Sequence, residues 1–176
     1  MIYQNGAYTE HATGNHKRLG DELQRTKTGA EQFNKLVSSP TKTLINFVDG
    51  KHPTEKRAAA STIVGDFDIY TDDKTKEVVA AEPPKEATIS IYMGKVDEVL
   101  KGDGEYGLYG KSVEGLSFMK VLAAIVGHEV EHTTTENLLI LIKYGSKLKQ
   151  VEEKPTEKSN IIIDETNKKK QKPDNE

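Results

Sequence analysis

The sequence has no cysteine. That excludes a disulfide framework, an iron–sulfur cluster, a thiolate-ligated zinc and a thiol nucleophile. Any metal ion must therefore be held by histidine and carboxylate. The chain also lacks a long apolar run. Its longest, VLAAIVG (residues 121–127) and LLILI (residues 138–142), are far short of the about 18 residues of a membrane span, so no membrane-crossing segment is expected. The first residues, MIYQNGAYTEHATGNHK, have neither a basic n-region nor an apolar h-region, so no classical secretory signal stands there. A large charge excess is missing too. At a formal net charge of −3 there is no general attraction to nucleic acid or acidic membranes. No internal repeat is visible.

What remains is a polar chain of 176 residues, 30% charged and 35% hydrophobic, with a mean hydropathy of −0.65. This is room for one domain with solvated flanks. Residues 1–18 read as a linker or junction and residues 168–176 as a disordered Lys-rich tail, leaving 19–167 as the domain. The tail lacks interleaved aromatics and carries acidic residues, which argues against nucleic-acid binding.

The pattern of residues predicts mixed structure. Leu19, Leu23, Phe33, Leu36 and Val37 mark a helix that Gly29 kinks or splits and Pro40 ends. Strands are expected over Thr41–Asp49, Thr62–Asp73 and Ala87–Gly94, the last with Ile89, Ile91 and Met93 on one face. DKTKEVVAAEPPKE, with its Pro-Pro pair, reads mostly as an exposed loop, with a short hairpin strand at KEVVAA as the alternative. A helix capped by Ser112 or Ser117 follows, running to about Thr133. Pro155 suits the first turn of a last helix. The segment KGDGEYGLYGK (residues 101–111) holds four glycines but matches no phosphate-loop spacing, and reads as a flexible loop.

One motif carries chemistry. His128-Glu129-Val130-Glu131-His132 is HExxH, a zinc-protease helix signature. Residues four apart on a helix lie one above the other, so both imidazoles can reach one ion. Glu129 points to a different azimuth and can polarise a metal-bound water without being a ligand. The apolar lead-in, Val121 to Gly127, makes this a buried helix rather than a solvated surface with helpful charge pairs. A zinc site needs a third protein ligand. Glu136 would lie roughly 9 Å along the axis from such an ion on an unbroken helix. Glu152 and Glu153, at the start of the last helical segment, are better placed. His11, His16 and His52 have polar neighbours and read as exposed. The strand ATISIYMG could accept a peptide substrate by β-addition, and Tyr106 and Tyr109 could help hold an oxyanion.

The stretch GHEVEHTTTEN followed by VEEKPTEKSNIIIDE resembles the metallopeptidase-like C-terminal toxin domains of RHS/YD-repeat polymorphic toxins. More distantly it is similar to bacterial effector zinc metallopeptidases. The resemblance covers about residues 87–165, and IYQNGAYTEHATGN looks like the junction that follows an RHS core. In those relatives a segment E-x-x-A-x-x-x-E-N-x-I-R carries the third ligand. Matching it to Glu152-x-x-Pro155-x-x-x-Ser159-Asn160-x-Ile162 puts that ligand at Glu152. Pro155, Ser159 and Ile163 depart from the pattern.

The resemblance implies a small zincin-like α+β domain, with a mostly antiparallel sheet packed on the HExxH helix and helices flanking it. It implies Zn2+ held by His128, His132 and Glu152, with Glu129 as general base. It also implies peptide hydrolysis, a secreted or delivered effector, and a cognate immunity protein as partner. The alternative from another class is a catalytically inactive zincin-like binding or structural domain.

Overall fold

The computed structural model describes residues 2–4, 7–8, 14–102, 112–145 and 149–170. The chain is α+β. Strands β1 (Ile2–Gln4) and β2 (Ala7–Tyr8) come first. Helices α1 (Gly14–Leu23) and α2 (Lys27–Ser38) follow, then β3 (Lys42–Val48), β4 (Ala60–Val64), β5 (Ile69–Thr71), β6 (Val78–Ala81) and β7 (Glu86–Tyr92). Helices α3 (Met93–Lys101), α4 (Phe118–His132), α5 (Thr135–Tyr144) and α6 (Lys149–Lys170) complete the order.

The main sheet has the order β2-β1-β3-β7-β4, and β5 and β6 form a separate two-stranded hairpin. Three of the four pairings in the main sheet are antiparallel, as expected, but the central one, β3 with β7, is parallel. Alternation decides which face is buried. Ile45, Ala87, Ile89 and Ile91 are buried, while Thr88 and Ser90 between them are only half-buried.

Helix α4 is the centre of the core. Its residues Val121 to Val126 and Val130 are all buried, as befits a helix that is apolar on every side. It contacts α1, α2, α6, β4 and β7. Gly127 sets the approach to α6, because a Cβ there would run into the Cδ1 of Ile162. That closeness brings the first turn of α6 to the end of α4.

Several local expectations are corrected. The segment 1–18 is more than a junction. Ile2 and Tyr3 pair with Leu44 and Thr43 of β3, and α1 already begins at Gly14. The expected strand Thr62–Asp73 is two strands in two sheets, interrupted by the polar Gly65–Asp68 stretch. Met93 packs against the same core as Ile89 and Ile91, but as the first residue of α3 and not as part of the strand. The break between α1 and α2 falls at residues 24–26, where Thr26 caps α2 by accepting from the Gly29 N–H at 3.1 Å. Gly29 sits in that first turn because a Cβ would meet the Leu23 carbonyl. Pro155 lies inside α6 rather than in its first turn, and the helix already runs at Lys149. The glycine-rich loop from residue 103 to 111, with Tyr106 and Tyr109, lies outside the described residues, as do His11 and the tail beyond residue 170.

Candidate metal centre

The HExxH segment occupies the last turn and a half of α4. The helix stops at once after His132 for a local reason. The hydroxyls of Thr133 and Thr134 donate to the carbonyls of Val130 and Glu131, both at 2.8 Å, satisfying acceptors that a continuing helix would have used. Thr134 then caps α5, its Oγ1 accepting from the Asn137 N–H at 3.3 Å. The helix direction therefore changes directly beneath the two histidines.

Glu152, in the first turn of α6, completes a three-residue cluster with them. His128 Nε2 and His132 Nε2 are 3.2 Å apart. Glu152 Oε2 is 3.1 Å from the first and 3.6 Å from the second. Ligands at about 2.0–2.1 Å from a tetrahedral ion are separated by roughly 3.3–3.4 Å. The three distances straddle that value, and the donor set, two imidazoles and one carboxylate, suits zinc. One further position would remain open to the cleft in front of the cluster.

The electrostatics of the triad fit a cation. Burial alone would raise the Glu152 carboxyl, but hydrogen bonds from His128 and His132, and their charges, hold it well below the usual carboxylate range. Burial alone would lower the His132 imidazole. The Glu152 hydrogen bond and the charges of Glu129, Glu152 and Glu131 together outweigh it, so the imidazole is raised.

Glu129 reaches toward β4 within the same cleft as the triad and is almost wholly buried. Thr62 Oγ1 donates to Glu129 Oε2 at 2.7 Å, and also lies 3.2 Å from the Glu129 carbonyl. Sixty-seven positions separate the two residues in the chain, so no local pattern announces the contact. Asn137 is the second residue that sequence reasoning passed over. Its Nδ2 lies 3.0 Å from His132 Nδ1.

On the far side of α4, Glu131 is buried against α2. It accepts from Lys35 Nζ at 2.6 Å and from Gln32 Nε2 at 3.1 Å. This is a structural ion pair and not part of the cleft.

The other candidates do not reach the triad. Glu136 pairs with Lys154, which holds its carboxyl low, even though the helix does break at the threonines. Glu153 is exposed on the outer side of α6. His16 is not exposed as expected. Its Nε2 bonds the Ile45 carbonyl at 3.1 Å, its ring leans on Phe47, and burial lowers its imidazole. His52 is half-buried, its ring edge-on to Tyr92, with Nδ1 accepting from the N–H groups of Thr54 and Glu55. The strand β7 cannot accept a peptide by β-addition, because β3 and β4 occupy both of its edges. Among the described residues β4 and β2 are the two edge strands of the main sheet, and it is β4 that borders the cleft.

A cleft of about 860 Å³ joins these parts. The triad and Glu129 lie on one side, β4 with the preceding 55–59 segment on another, and Ile125, Leu141 and Val151 give it apolar walls. No protein-family model, curated protein or solved structure matches the chain.

Proposed function

We propose that this chain is a zinc-dependent metallopeptidase of zincin type, acting as the toxin or effector domain of an RHS/YD-repeat polymorphic toxin. The observation that carries the hydrolase reading is the triad His128, His132 and Glu152 at tetrahedral spacing, with Glu129 beside it in one cleft. These three residues would hold the ion. When bound, zinc lowers the pKa of water and polarises a carbonyl.

Glu129 takes the proton of the attacking water and delivers it to the leaving amine. Thr62 holds that carboxylate in place from the edge strand. The free edge of β4 supplies backbone N–H and C=O groups to an extended peptide, and the apolar walls receive its side chains. Delivery as a secreted effector and neutralisation by a cognate immunity protein rest on the sequence resemblance alone. No described helix is long and apolar enough to cross a membrane.

The test is Glu129→Gln in protein purified without a histidine tag. Metal analysis should find zinc in both proteins. Hydrolysis of a peptide library should fall by about 10²–10⁴-fold or more in the variant. A variant that stays fully active would overturn the assignment of Glu129, and a wild-type protein without zinc would overturn the centre.

A further inference from the structure

Asn137 stands in the first turn of α5, five residues after His132, and is 2% exposed. Thr134 fixes its backbone through the N–H, leaving the side chain directed at the imidazole. With Nδ2 facing His132 Nδ1 at 3.0 Å, the amide donates and Nδ1 must offer its lone pair. A neutral ring then carries its proton on Nε2, the atom turned toward His128 and Glu152. That tautomer cannot ligate through Nε2. A ring that ligates through Nε2 carries its proton on Nδ1 and needs an acceptor beside it. The other branch of the same amide is such an acceptor, since Asn137 Oδ1 is buried and makes no hydrogen bond. A half-turn of the terminal amide exchanges the two branches with almost no change of shape.

We propose that Asn137 is a positioning residue for the metal ligand His132, its amide turning on metal binding so that Oδ1 accepts the Nδ1–H. The inference rests on the metal-centre reading above. It makes the amide a two-state latch. In one state it favours a hydrogen-bonded, metal-free triad, and in the other it fixes the ring for the ion.

The experiment uses zinc alone as probe, with no substrate. Zinc affinity is measured by chelator competition for wild type, Asn137→Asp and Asn137→Leu. Imidazole ¹⁵N shifts report the His132 tautomer before and after zinc. The wild type should pass from Nε2–H to Nδ1–H on adding zinc. Asn137→Leu should bind roughly 10–100-fold more weakly, the usual loss for an outer partner of a ligating histidine. Asn137→Asp, with an oxygen on both branches, should bind more tightly than wild type. Wild-type affinity in Asn137→Leu, or an unchanged tautomer, overturns the inference and leaves the zinc centre standing. If Asn137→Leu does not fold, weaker binding by a folded Asn137→Asp overturns it equally. A wild type that binds no zinc overturns the metal centre and this inference together.

Discussion

Glu129 and Glu131 are the same side chain two residues apart on one helix, and their surroundings differ completely. At about 100° per residue they face directions roughly 200° apart, flanking the histidines. On the α2 side, Glu131 is buried with a cation, Lys35, and an amide, Gln32. On the cleft side, Glu129 is offered one hydroxyl, from Thr62. A carboxylate already engaged by an ammonium and an amide on the α2 side is turned away from the cleft and from any chemistry in it. A carboxylate held by a single hydroxyl beside a cleft keeps its second oxygen for other work. The difference teaches that in HEVEH the role of each glutamate is set by what packs on its side of α4.

The largest loss is expected at the proposed ligands on the cleft side. Replacing His132 or Glu152 by alanine should weaken zinc binding by more than about 100-fold, beyond the loss typical of outer partners. Glu136→Ala and Glu153→Ala should leave it unchanged, and chelator competition on the four proteins distinguishes them. On the α2 side, Lys35→Met should cost about 1–3 kcal/mol in urea denaturation, because the Glu131 carboxylate loses its cation while staying buried. The same substitution should leave zinc affinity near wild type. Equal stability of the variant and wild type would mean that the ion pair is not structural.

A pH series sharpens the same contrast. Glu152 is depressed, so its contribution is present above its unfolded value of 4.5 and is lost as pH falls through its folded value. His132 is raised, so its contribution is present below 6.5 and is lost as pH rises through its folded value. Metal-free protein therefore gains most from this pair between those limits. Zinc must displace the proton on His132, so the rise in melting temperature on adding zinc should be larger at pH 8 than at pH 6. A larger rise at pH 6 would contradict the assignment of His132. The smallest effect is expected for Thr62→Val. The rate should fall by about 10-fold or less, in kcat and with KM unchanged, as for the net contribution of one typical hydrogen bond. Thr62→Ser should restore it.

Much of the site was legible because it is local. The i, i+4 spacing places His128 and His132 together on any helix, and the apolar run before them marks that helix as central. Glu152 was reachable only through resemblance and a plausible turn. The packing of α6 along α4, close at Gly127 and Ile162, is what brings it near enough. Thr62 was not legible at all, since an edge strand finds its neighbours through sheet order. That order, with β7 inserted between β3 and β4, is also why the clearest strand in the sequence turned out to have no free edge. His16 misled because its polar neighbours say nothing of the β3 carbonyl that receives it.

Residue chemistry and periodicity alone were enough for the candidate donor side chains, the two histidines on one helix face and the α+β composition. Each follows from residue chemistry or from a period of 3.6 or 2. Which carboxylate joins the histidines, which glutamate faces the cleft and which edge strand borders it were settled by packing. Those depend on how helices and strands approach across tens of residues, where close packing, and no local periodicity, fixes the outcome.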